Sequence, residues 1–286
     1  MRNLSRGSNR VRSVFGRAGM IAALTAIPMA GLWLSAAEPT KPAKVEYGYD
    51  DTPFLPNSPW RVHDRKRPQP PMVDPGTAGM TVQPAVAPSD AIMLFDGKDL
   101  SQWEGGKPEG IENGCINILK SGELRTKRHF GDCQVHVEWA TPAVADSGAM
   151  SWGNSGVLLM GKYEVQIIES HDSHIYADGN AGALYGQYPP TVNPARNPGQ
   201  WQTFDIVFTA PKFDGDKLVK PAYFTVFYNG VLVQHHKASL GPMKHRVLAT
   251  YDSKDTTGPL ALQQHGSAVR FRNIWIRPLK VEGDRD

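Results

Sequence analysis

Residues 154–170 set Asn154, Glu164, Gln166 and Glu169 into otherwise apolar, strand-like sequence, and residues 262–266 and 271–274 repeat the pattern with Gln263, His265, Arg272 and Asn273. Side chains on a strand alternate between its two faces. Glu164 and Gln166 therefore share a face, opposite Tyr163, Val165, Ile167 and Glu169, and Gln263 shares a face with His265. A carboxylate, an imidazole and amides gathered on one sheet can move protons and donate hydrogen bonds, which suits a sugar-sized polar ligand. The same alternation also describes an ordinary solvated sheet face, and His265 also fits a histidine satisfied by a strand-end carbonyl. Arg272 and Asn273 fall on opposite faces of their strand, which leaves Asn273 for a structural bond to neighbouring backbone.

Strands must position these residues, because no convincing amphipathic helix interrupts residues 91–279. The spacing predicts strands at 116–119, 133–140, 156–160, 163–169, 202–209, 260–264 and 269–277. A hairpin over 224–234 turns at Asn229-Gly230, where both turn positions need positive φ. So many strands in one stretch imply an all-β sandwich of two antiparallel sheets, a jelly roll. Gly-, Pro- and Asn-rich insertions at 143–153, 171–200 and 241–258 are long enough to rim a cleft.

Upstream, eleven prolines between residues 38 and 90 leave little room for helix or central strand. This reads as an extended arm or linker, with Tyr47, Tyr49, Phe54 and Trp60 available to pack it onto the domain or onto an envelope partner. Residues 1–37 carry five arginines and then an apolar run closing on small residues, the pattern of a secretory signal peptide. The protein is accordingly expected to be exported, periplasmic or extracellular, with an uncleaved membrane anchor as the alternative. Residues 280–286 form a polar tail.

The net charge of +3 is inflated by those arginines, and the rest of the chain is slightly acidic, which argues against nucleic-acid binding. Export would let Cys115 and Cys133 pair as a disulfide between neighbouring strands; two separate buried thiols are the other reading. No cofactor is expected. A divalent metal stays open, since His171 with His174, His235 with His236, and Asp252 with Asp255 offer ligand atoms without a frame that would converge them. Asp96-Gly97-Lys98-Asp99 reads better as a turn than as a calcium site.

Eight blocks give the chain a resemblance. Residues 94–103, Asn154-Ser155-Gly156, residues 163–167, residues 182–185, residues 199–201, Asn229-Gly230, residues 262–266 and residues 271–274 fall in the order seen in the secreted 3-keto-disaccharide hydrolases, also described as 3-keto-α-glucoside-1,2-lyase/3-keto-2-hydroxy-glucal hydratase. The resemblance covers about residues 91–279. It implies a concanavalin-like jelly roll, a keto-sugar substrate, Glu164 and His265 as the acid/base pair, and Gln166, Gln263, Asn154, Tyr185 and Arg272 as substrate contacts. The sequence departs from the family pattern at Met160, where many relatives carry Arg, and at Glu169, where they carry Asp. A non-catalytic carbohydrate-binding jelly roll of the cell envelope would use the same fold and polar face.

Overall fold

The computed structural model describes residues 47–77, 84–148, 150–172 and 175–279. The signal segment, the polar tail and His174 lie outside the described residues. Among the described residues fifteen strands run in chain order: β1 (Ile92–Phe95), β2 (Trp103–Gly105), β3 (Ile111–Glu112), β4 (Cys115–Asn117), β5 (Leu124–Phe130), β6 (Cys133–Ala140), β7 (Ser155–Leu159), β8 (Tyr163–Ile167), β9 (Gln202–Thr209), β10 (Lys212–Asp214), β11 (Lys217–Lys220), β12 (Tyr223–Tyr228), β13 (Val231–Ala238), β14 (Gly258–Leu262) and β15 (Arg270–Pro278). The single α-helix among the described residues is one turn, Ile118–Ser121.

Two antiparallel sheets form the jelly-roll sandwich. The larger has the order β13-β12-β9-β6-β15-β4-β3, with β1 also on β15; the smaller has the order β2-β5-β14-β7-β8. Period-2 patterning decides which side chains lie between them. Val135, Val137 and Trp139 of β6, Phe204, Ile206 and Phe208 of β9, Val157 and Leu159 of β7, and Val165 and Ile167 of β8 join one buried cluster. Each such side chain contributes about 1.5–3 kcal/mol when fully buried. Asn229 (φ 51°) and Gly230 (φ 78°) make the expected hairpin turn between β12 and β13.

β5 was not evident in the sequence. Its run Leu-Arg-Thr-Lys-Arg-His-Phe buries only Leu124, Thr126 and Phe130, so its charged outer residues mask the alternation. The short strands β3, β10 and β11 escaped for lack of length, and of the strand expected at 116–119 only the start is realised, as β4, because the chain turns into the one-turn helix at Ile118.

Both cysteines are free, and topology explains why. β15 lies between β4 and β6, with Asn117 opposite Arg270 at one end and Cys133 opposite Pro278 at the other. A disulfide needs Cα atoms about 4.4–6.8 Å apart, which an intervening strand forbids. Asp96 accepts from the Lys98 amide at 3.2 Å, which fixes a turn. Asp252 and Asp255 each face a lysine, Lys244 at 3.1 Å and Lys162 at 2.8 Å, rather than a shared cation.

The proline-rich segment is a packed arm over residues 47–77, not a linker. Leu55, Val62, His63 and Thr52 are buried. The arm folds back on itself through Tyr49 N to the His63 carbonyl at 2.8 Å and Arg65 N to the Tyr49 carbonyl at 3.2 Å. A Cβ on Gly48 (φ 132°) would lie 2.7 Å from that His63 carbonyl, so this close approach requires glycine.

Candidate functional site

A cavity of about 540 Å³ opens on the outer face of the smaller sheet. β8 brings Glu164 and Gln166 to it, the turn before β7 brings Asn154, and the segment after β14 brings Gln263 and His265. Alternation works for Glu164 and Gln166 because β7 and β8 keep an unbroken register, and Gln263 and His265 follow directly on the end of β14, where Gln263 N still donates to the Gly156 carbonyl at 3.1 Å. Six of the seven residues singled out in the sequence therefore converge, Tyr185 being the sixth.

The long loops add what strand patterning could not reveal. Tyr176 and Tyr185 come from the insertion at 171–200, and Met243, Lys244 and His245 from that at 241–258, while Met150 and Ser151 close the rim. Those insertions marked the cleft, but nothing periodic within them singled out a residue.

Glu164 is buried, and Gly156 on the adjacent strand makes the space for it: a Cβ there would stand 2.2 Å from Glu164 Oε1. The Gln166 amide donates to Glu164 Oε1 at 3.0 Å and to the Ser155 carbonyl at 2.9 Å. Burial alone pushes the Glu164 carboxyl up to about 8, because no cation compensates its charge. On the rim, Asn154 Nδ2 lies 3.3 Å from His265 Nδ1.

A hydrogen-bond chain crosses the cavity wall. Tyr176 and Tyr185 share a bond between hydroxyls at 2.8 Å, and the Tyr185 hydroxyl lies 2.8 Å from His245 Nδ1. Burial, opposed by the Tyr176 hydrogen bond and reinforced by Glu164, holds the Tyr185 phenol well above its ordinary range. Burial likewise lowers His245, with His63, Arg246 and His265 adding to the effect. The pair therefore presents a neutral imidazole and a protonated phenol.

Arg272 is not in the cavity, contrary to the expectation from sequence. It belongs to β15 in the larger sheet, where its Nε bonds Glu138 Oε2 at 2.7 Å and its guanidinium lies 4.0 Å from the centre of the Trp201 ring. Asn273 bonds the same carboxylate at 2.8 Å and the Ala85 carbonyl at 3.0 Å. Alternation would have sent these neighbours to opposite faces. A bulge between Arg272 and Trp275, with Asn273 at φ 45°, turns both to one side.

Met160 also stands away from the cavity, buried at the β7–β8 turn with φ 52°. Glu169 accepts from Thr141 Oγ1 at 3.0 Å and from the amides of His171 at 2.6 Å and Asp172 at 3.1 Å, so it fixes a turn. Neither departure from the family pattern touches the cavity lining. Among the described residues, no three His, Cys, Asp or Glu side chains form a cluster with metal-binding spacing.

Residues 90–277 match the family model described as the 3-keto-alpha-glucoside-1,2-lyase-like domain. The chain belongs to this family. The lyase-like domain is 25% identical over 226 residues to the 3-keto-disaccharide hydrolase of Bacteroides thetaiotaomicron, an alignment covering 66% of this chain and 78% of that one. A crystal structure of a provisionally named glycosyl hydrolase of Parabacteroides distasonis is 40% identical, with TM-score 0.63, covering 68% of this chain and 85% of that chain. A second structure from that organism shares the fold at 21% identity, with TM-score 0.50 over 69% of this chain and all of the other. Membership makes the lyase-like domain a carbohydrate-active, hydrolase- or lyase-like jelly roll. The arm at 47–77 precedes the matched region.

Substituting Gly156 tests the geometry around the carboxyl. The added methyl of Gly156→Ala meets Glu164 Oε1, Cδ and Cγ, all at the mobile end of one side chain, so the sheet holds while the carboxyl moves. A displacement near 1 Å can lower turnover by about 10²-fold. Unchanged kcat in the folded variant would show that the carboxyl position is immaterial.

Proposed function

We propose that this domain cleaves 3-keto-glucosides by elimination at C1 followed by hydration. The observation that carries this reading is a buried carboxyl raised to about 8, in a sugar-sized cavity ringed by amides, two phenols and two imidazoles. A ketone at C3 acidifies the hydrogen on C2, and a carboxylate of raised basicity is matched to removing it. Glu164 takes that proton, and the electron pair forms an enolate whose oxygen is met by Gln263 and the Tyr185 phenol. The enolate then expels the oxygen at C1, which leaves with a proton from His265 at the exposed rim. Water adds to C1 of the unsaturated sugar, yielding a proton to His265, while Glu164 returns one to C2. Atoms balance as a net hydrolysis, without the paired carboxylates that ordinary glycosidases place across the bond.

Two further readings go with this one. The protein is exported to the periplasm or cell surface, on the strength of the arginine-led apolar segment at residues 1–37. Its substrate-facing groups are Asn154, Gln166, Gln263 and Tyr185, whereas Arg272 supports the opposite sheet.

Turnover in deuterated water tests the chemistry directly. The purified protein, incubated with a 3-keto-glucoside with and without chelator, should release the aglycone and leave deuterium at C2 of the sugar. Saturable binding with no release would make the domain a carbohydrate-binding module instead. Release without deuterium in the product would point to direct displacement at C1.

A further inference from the structure

The hydrogen-bond chain on the cavity wall does not end within the matched domain. Tyr49 of the arm lies 3.4 Å from His245 Nε2 through its hydroxyl, so both ring nitrogens of His245 are engaged, one from the domain and one from the arm. Asp51 of the arm grips the neighbouring Arg246 through both carboxylate oxygens, at 2.9 and 2.8 Å, and that guanidinium lies 4.2 Å from the centre of the Tyr49 ring. Arg246 adopts φ 60°, a left-handed conformation that a non-glycine residue keeps only when its surroundings hold it there.

Behind this wall sits His63, also from the arm and fully buried, at φ 55°. Its backbone amide donates to Asp178 Oδ2 at 2.9 Å, and its Nδ1 lies 3.2 Å from Asp178 Oδ1. Nδ1 thus faces the Asp178 carboxylate, and Nε2 points the other way. That Nε2 has no partner among the described residues. The ring packs 4.0 Å from Tyr176, 4.9 Å from Tyr185 and 5.1 Å from His245, measured between centroids. A buried polar nitrogen without a partner is unfavourable, so a purely structural contact here would be better served by an apolar side chain.

We propose that the arm completes the active site, with His63 and Tyr49 acting as positioning residues for the Tyr176–Tyr185–His245 chain. His63, anchored by Asp178, backs the two phenols, while Tyr49 and the Asp51–Arg246 pair set the orientation of the His245 ring. The catalytic unit of this protein therefore begins before the matched family region. The proposal rests on the cavity being the reaction site described above. The groups facing His245 are Tyr49 and His63 from the arm, Tyr185 from the insertion at 171–200, Arg246 beside it, and His265 across the cavity.

The full-length protein and its Tyr49→Phe, His63→Gln and Lys66→Ala variants provide the test, each checked for cooperative thermal unfolding. Lys66 is exposed on the same arm, outside the cavity, and serves as the control. Two readouts are taken: kcat and KM on a 3-keto-glucoside across pH, and the NMR titration of the His245 ring without substrate. Expected are a fall in kcat of about tenfold or more with KM changed less than about threefold in the first two variants, and a His245 midpoint displaced by about 0.5 or more on the pH scale. Lys66→Ala keeps the parental values. Tyr49→Phe removes a single hydroxyl, so it remains informative if His63→Gln fails to fold. Parental kcat in the folded Tyr49 and His63 variants, or an unmoved His245 titration, overturns the proposal. Should the parent protein turn over no keto-sugar, the proposed reaction fails, and the titration alone decides whether the arm governs His245.

Discussion

The Glu164→Gln protein is expected to lose catalysis by about 10²–10⁴-fold, the range for removing a general base, while becoming more resistant to unfolding at pH 8. Both effects come from the same burial. The folded carboxyl is raised to about 8 from its ordinary 4.5. Between those two values the unfolded chain has released the proton while the folded chain still holds it. Stability therefore falls as pH rises through this window. Glutamine removes that dependence while keeping similar shape, and it leaves Gln166 an oxygen to bond.

The gain at neutral pH should be roughly 1–3 kcal/mol after allowing for relaxation, which corresponds to roughly 2–4 °C per kcal/mol for a domain of this size. Thermal unfolding of both proteins at pH 4 and pH 8 checks it: the variant should lead at pH 8 and lose its advantage at pH 4. For the parent, kcat/KM should climb with pH toward about 8 as the carboxylate becomes available to act as a base. A variant that is both active and no more stable would remove Glu164 from the mechanism.

The second large effect lies on the opposite sheet and concerns stability alone. Arg272→Met should destabilise the fold by about 3–5 kcal/mol, because it leaves the fully buried Glu138 without its bonded guanidinium. Asn273 still donates at 2.8 Å, and His136 Nε2 lies 3.7 Å away, but neither replaces the lost charge-assisted bond. Burial opposes protonation of His136, yet Asp205 and Glu138 together raise it to about 9. A raised histidine contributes stability that is complete below about 6.5 and is lost as pH rises through about 9. The variant should therefore be weakest at alkaline pH. Denaturant unfolding measures the loss, and kcat per folded molecule should stay at the parental value. A stable variant with depressed kcat would instead restore Arg272 as a substrate contact.

The contrast between Glu164 and Arg272 shows what was legible in the sequence. Glu164 and Gln166 reach the cavity as alternation requires because β7 and β8 keep register, so a period of two carries through to three dimensions, whereas Gln263 and His265 reach it from the backbone just past β14. Arg272 and Asn273 sit at a bulge, where one left-handed residue cancels the period. Sheet membership was beyond pattern altogether: nothing in residues 269–277 records that β15 pairs with β6 rather than with β7. The jelly-roll class was readable from strand number and the Asn229-Gly230 turn. Tyr176, His245 and His63 were not, because their positions come from irregular backbone and from contacts spanning over a hundred residues, such as His63 with Asp178.

Residues 182–185 do more than deliver Tyr185. Gly182 donates to the Gln166 carbonyl at 2.9 Å, Gln166 donates to the Ala183 carbonyl at 3.0 Å, and Tyr185 donates to the Glu164 carbonyl at 3.3 Å. Without that segment, β8 would expose a ladder of unpaired amides and carbonyls at the margin of its sheet, a template for association with other chains. The loop that furnishes phenols to the cavity is thus also the guard against self-association, and damage to its seating should surface as loss of solubility together with loss of turnover.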